Sequence, residues 1–90
     1  MKNKYQANPV VSFKDEGEEG AVLYNPDKDE CVIINPVGTT IWRYLEEPRT
    51  QDEIIVMLNY SFSEVDSEKA HEDLKQFIEN LEEGFIDEVS

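Results

Sequence analysis

Few side chains in this chain have the type and spacing for covalent chemistry. There is one histidine, His71, and one cysteine, Cys31. Such a pair is the minimum for an activated thiol, since a base must draw the proton from the nucleophile. Cys31, however, opens the apolar run Cys31-Val32-Ile33-Ile34, where a thiol behaves as a small hydrophobe. His71 stands among Glu72, Lys75 and other polar residues. Asp27-Lys28-Asp29-Glu30 carries oxygens that calcium favours, but lacks the twelve-residue loop with glycine at its sixth place and a closing glutamate. No paired Cys or His has metal-ligand spacing, and no glycine-rich phosphate loop occurs. Glu18, Glu19, Glu46 and Glu47 read as solvated faces. No active site, metal or cofactor is expected, so the chain is not expected to be an enzyme.

The remaining chemistry is that of the backbone. Cys31 to Asn35 reads as a strand, and side chains alternate along a strand. Val32 and Ile34 share one face, while Cys31, Ile33 and Asn35 share the other. Both faces are largely apolar, so helices must cover part of that surface, and part is open to a partner. A strand with an unpaired edge offers its N–H and C=O groups to another strand.

The elements that position this strand follow from its neighbours. Asn35 suits a helix N-cap and Pro36 the first helical position, so strand passes to helix within one residue. Ile41, Trp42 and Leu45 form an apolar stripe on a first helix, Pro36 to Glu46, which Pro48 stops. Before the junction the chain reads as sheet. Val10 to Phe13 is a strand, Lys14 to Gly20 an acidic turn, and Ala21 to Tyr24 a second strand. Asn25 to Asp29 is a turn rich in residues that bond their own backbone. Met1 to Asn8 is polar and expected to be a loose tail, with Tyr5 as an anchor. After the junction the chain reads as helix. Thr50 and Glu53 have capping-box spacing, opening a second helix from Gln51 to about Asn59. Phe62 and Val65 in the connector are expected to plug the core, and Asp66 or Ser67 caps a third helix to about Glu83. Ala70, Leu74, Phe77, Ile78 and Leu81 form its apolar stripe. Gly84 ends it, and Phe85 to Val89 closes the chain.

Ninety residues with 39% hydrophobic content suit a single domain, 1–90, with one small core. Twenty-one acids against 8 bases give a net charge of −13. That charge repels phosphate backbones and anionic membranes, and suits cationic peptides or protein surfaces. One cysteine allows no internal disulfide, no secretory signal is visible at the N-terminus, and no apolar run approaches the ~20 residues of a membrane span. A cytoplasmic location is expected, with neither nucleic acid nor membrane as partner. The fold class is α+β, three antiparallel strands followed by three helices, in a winged helix-turn-helix-like order.

Val22-Leu23-Tyr24-Asn25, then Val32-Ile33-Ile34-Asn35-Pro36-Val37-Gly38, Ile41-Trp42, Arg49-Thr50, Glu53-Ile54, Asp73, Phe77, Leu81 and Gly84-Phe85 together resemble the PqqD-like family. These are the peptide-recognition domains, or RiPP recognition elements, of ribosomal peptide natural-product pathways. The likeness runs from about Pro9 to Ile86. Its most specific piece is the junction Ile34, Asn35, Gly38, Ile41 and Trp42, and the acidic turn Asp15 to Glu19 is somewhat longer than the family's. The resemblance implies a non-catalytic protein that binds the leader of a precursor peptide. The leader would add as a strand to Cys31, Val32, Ile33, Ile34 and Asn35 and lie against the third helix. The protein would then present it to a modifying enzyme such as a radical SAM enzyme or a lasso-peptide protease. On that helix Asp66, Ala70, Asp73, Phe77 and Asn80 form one flank beside the core stripe. Phe77 is as well explained by core packing as by a groove, and Asp73 by plain solvation. The resemblance favours Asp66, Ala70, Asp73, Leu74 and Phe77 as the helical side of the site. A winged-helix regulatory or structural module acting through protein contacts is the alternative, with DNA binding opposed by the charge.

Overall fold

The computed structural model describes residues 3–61, 67–81 and 83–89. In chain order its elements are β1 (Lys4–Ala7), β2 (Ser12–Asp15), β3 (Ala21–Asn25), β4 (Glu30–Ile34), α1 (Pro36–Tyr44), β5 (Arg49–Thr50), α2 (Gln51–Ser61), α3 (Ser67–Leu81) and β6 (Ile86–Val89). The expected meander is the antiparallel sheet β2-β3-β4, and the three expected helices follow it. A second sheet, β5-β1-β6, was not expected.

That second sheet corrects the reading of the N-terminus. Lys4 to Ala7 is a central strand, antiparallel to β6 with Tyr5 opposite Glu88 and Ala7 opposite Ile86, and to β5 with Lys4 opposite Thr50. Tyr5 and Ala7 pack on the core. A period-two pattern of four residues is too short to stand out in a polar segment. The pairing that fixes β1 comes from distant parts of the chain, β5 at mid-chain and β6 near its end. The neighbouring strand is displaced as well. Val10 was expected within it, but the Asn8 side chain accepts from the Val10 N–H at 3.0 Å, and the Asn8 carbonyl accepts from the Val11 N–H at 3.1 Å. This local turn delays the strand to Ser12.

The junction forms as read from the residues. Asn35 Oδ1 accepts from the Gly38 N–H at 2.7 Å, with Pro36 in the first helical turn. α1 ends at Tyr44, and the buried Leu45 caps it with its N–H on Ile41 and Trp42 carbonyls. α2 continues to Ser61, two residues beyond the expected end. Phe62 and Val65, expected to plug the core, and Asp66, expected as a cap, lie outside the described residues. On α3, Ala70, Leu74, Ile78 and Leu81 are buried and Phe77 is packed at the core's margin. They meet Leu23 and Ile34 of the meander, Ile41, Trp42 and Leu45 of α1, and Ile54, Ile55 and Leu58 of α2 in one core.

Asn25, the buried polar side chain among the described residues, ties the β3–β4 hairpin to the end of α3. Its Oδ1 accepts from Asp27 and Lys28 N–H groups at 2.9 and 3.3 Å, and its Nδ2 donates to the Gly84 carbonyl. Burial without those partners would leave an amide unsatisfied.

The capping box is complete. The Thr50 N–H donates to Glu53 Oε1 at 2.8 Å and the Glu53 N–H donates to Thr50 Oγ1 at 3.2 Å. The first of these bonds lowers the Glu53 pKa from its ordinary value; partial desolvation opposes it, and the Thr50 hydroxyl and the charges of Arg49 and Lys4 add to the lowering. A carboxylate lowered in the folded state adds stability above its unfolded pKa, and that stability is lost as pH falls through the folded value. Glu53→Gln is therefore expected to be less stable than the parent at neutral pH, with the gap closing in acid. Urea midpoints at a series of pH values measure this, and a gap independent of pH would refute it. Thr50→Ala is expected to cost about 1 kcal/mol, the usual loss at an N-cap.

Candidate functional site

A groove of about 280 Å³ runs between β4, the first turns of α1, and α3. Val32, Ile33, Ile34 and Asn35 form one side, Val37, Gly38 and Ile41 one end, and Asp73, Gln76, Phe77, Asn80 and Leu81 the other side. Each side has a local cause. β4 is the outer strand of its sheet, since it pairs with β3 on one edge only among the described residues. In an antiparallel pair, alternate residues direct their N–H and C=O groups away from the partner strand. That edge of β4 therefore carries backbone donors and acceptors beside the groove. α1 starts directly after β4, so its first turn must border the same space. α3 presents Asp73 and Phe77 four residues apart on one face.

Gly38 sets how closely the pieces approach. A Cβ there would lie 3.0 Å from Phe77 Cε2, 3.2 Å from Ile34 Cβ and 3.3 Å from Asn35 Oδ1. The missing side chain lets the Phe77 ring lie over the start of α1 and form the apolar floor.

The expected site residues divide into groups. Val32, Ile33, Ile34, Asn35, Asp73 and Phe77 come together at the groove. Ala70 and Leu74 do not line it. They are 0% and 2% exposed and belong to the core. Asp66 lies outside the described residues. Cys31 is corrected in its environment. It was read as a thiol inside an apolar strand, but it is exposed. It shares the outer face of β4 with Ile33, which is 78% exposed. Among the described residues that face is uncovered at Cys31 and Ile33, so it is the part of the two-faced apolar surface left open.

Sequence reasoning missed Val37, Gly38, Ile41, Gln76 and Leu81 as lining residues, and placed Asn80 on the α3 flank without assigning it to the site. The abrupt Asn35-Pro36 junction was the available signal for Val37 and Gly38. The position of Asn80, three residues beyond Phe77, was the signal on α3. Ile41, expected as core, is 1% exposed and yet borders the floor.

The groove offers backbone hydrogen bonds along one side, an apolar floor, and one carboxylate with two side-chain amides along the other side. That set suits an extended peptide. Among the described residues no group of three or more His, Cys, Asp or Glu is placed to hold a metal ion, and no helix is long and apolar enough to cross a membrane.

Two solved structures share the fold. One is a lasso peptide synthetase B1 complexed with the leader peptide, 22% identical, with TM-score 0.72 over 91% of this chain and 95% of that one. The other is TbiB1 in complex with the TbiA(beta) leader peptide, 23% identical, with TM-score 0.73 over 89% and 93%. No curated protein sequence matches the chain. The family described as coenzyme PQQ synthesis protein D matches residues 20–85, which include β3, β4, all three helices and every described lining residue of the groove. By that match this chain belongs to the PqqD family.

Proposed function

We propose that this chain binds the leader region of a ribosomally made precursor peptide as an added strand on β4 and presents it to a modifying enzyme, without catalysing a reaction itself. The observation that carries this reading is the open edge of β4 beside a groove floored by Phe77 and bordered by Asp73. Family membership supports it, and so do the two fold relatives, both described as leader-peptide complexes. The enzyme partner is one that acts on such precursors in the cytoplasm, a radical SAM enzyme or a lasso-peptide protease. The net charge of −13 favours a leader with cationic character and opposes nucleic acid.

The test is a fluorescence-polarisation titration of the protein with labelled leader from the precursor made alongside it. Saturable binding is expected, and its absence at hundreds of micromolar protein refutes the reading. Asp73→Asn keeps the shape and deletes the charge. Asp73 is exposed, and an exposed ion pair contributes ~0–1 kcal/mol, so a loss of up to about fivefold is expected at low salt. That loss should shrink above ~0.15 M salt, where the screening length is about 8 Å. Equal binding by parent and variant at both salt concentrations would make Asp73 a solvated bystander.

A further inference from the structure

We infer that the peptide segment seated in the groove carries a cationic residue and an apolar residue two positions apart, the first paired with Asp73 and the second lying on Phe77. The inference rests on the strand-addition reading and adds the recognition chemistry to it. A strand on the β4 edge turns every second side chain toward α3, on the same side as Val32 and Ile34. Successive inward side chains are then about 6.6–6.8 Å apart. On α3, Asp73 and Phe77 are separated by four residues, an axial rise of about 6 Å. The two repeats agree to within about 1 Å, so a strand running along α3 would set consecutive inward side chains against consecutive α3 positions. The groove sides have comparable length, since Val32 to Asn35 extends about 10 Å as strand and Asp73 to Leu81 about 12 Å as helix.

Chemistry assigns the two places. Asp73 is the charged side chain among the described lining residues. Among the described residues it also has no ion-pair partner. An arriving cation therefore breaks no existing pair. Phe77 is half-buried on the core with its ring over Gly38, an apolar surface beside which Asp73 is the charged side chain among the described lining residues. The residue between the two faces the other way, beside exposed Ile33.

The experiment is a phage-display selection of random twelve-residue peptides on the intact protein and on Asp73→Lys, an exposed position at which circular dichroism is expected to show the parent's helix content. Peptides enriched on the parent should carry Lys or Arg two positions from Leu, Ile, Val, Phe or Met, in one order set by the direction of pairing. On Asp73→Lys the cation should give way to Asp or Glu at the same place, with the apolar residue retained. Replacing Lys by Gln in a synthetic winner should weaken binding to the parent about two- to fivefold. Enrichment without this spacing, or enrichment that Asp73→Lys leaves unchanged, overturns the inference. Strand addition still stands in that case if Ile33→Pro abolishes capture of the same peptides. No enrichment on either protein refutes strand addition, and the inference with it.

Discussion

An Ile33→Pro variant that keeps its helical circular dichroism is expected to lose leader binding by ~100-fold or more. Proline removes a backbone donor and does not tolerate pairing along a ladder. An added strand makes several main-chain bonds, and three of them at about 1 kcal/mol net each account for a loss of that size. Ile33 is the favourable position because its side chain is 78% exposed and contributes little to the core. Its neighbours Val32 and Ile34 are half-buried and buried, so proline there would damage packing as well. A second arm leaves the protein untouched. N-methylation of alternate leader amides should abolish binding in one register and spare it in the other, since only every second amide faces β4. Unchanged affinity in a folded Ile33→Pro variant, or indifference to N-methylation in both registers, would sink strand addition.

What could be read from the sequence was local. The Asn35 cap, the Thr50–Glu53 box, the apolar spacing of α3 and the hairpin turn at Asn25 each depend on residues within a few positions of one another. Each forms as its chemistry requires. The second sheet was not legible because β1 and β6 meet across nearly the whole chain, and each segment is four residues, too short for a pattern to stand out. The site was half legible for a similar reason. Helical periodicity placed Asp73 and Phe77 on one flank of α3, but could not decide how far the sheet covers that flank. Ala70, two turns before Phe77, and Leu74, one turn before it, fall within the core, while Phe77 emerges at its margin. The environment of Cys31 was misread because alternation shows which residues share a face without showing what covers it. Cys31 and Ile33 proved to be on the open one.

Gly20→Ala is expected to be the most damaging single-atom change near the groove. Gly20 has φ +106° and ψ −131°, a region that side chains rarely adopt. A Cβ there would lie 1.9 Å from the Ile34 carbonyl oxygen, 2.9 Å from its carbon and 3.0 Å from the Asn35 carbonyl carbon. All three neighbours are backbone, so no side-chain rotation relieves the overlap. The strained dihedral alone costs ~1–3 kcal/mol, and forcing atoms into a packed site adds ~1–3 kcal/mol. A total near 3 kcal/mol is a large share of the ~5–13 kcal/mol available to a chain of this size. It predicts a fall in Tm of about 12–24 °C. The clash falls on the segment where β4 becomes α1, with Ala21 paired to Ile34, so the groove wall should shift and leader affinity should fall with stability. Gly17→Ala is the control, because Gly17 has φ +68° and nothing within 4 Å of its added Cβ. It carries the left-handed backbone cost of ~1–2 kcal/mol without the overlap. Thermal unfolding of the two variants separates close packing from backbone preference. If both lose the same few degrees, the approach of Gly20 to Ile34 does not hold the junction in place.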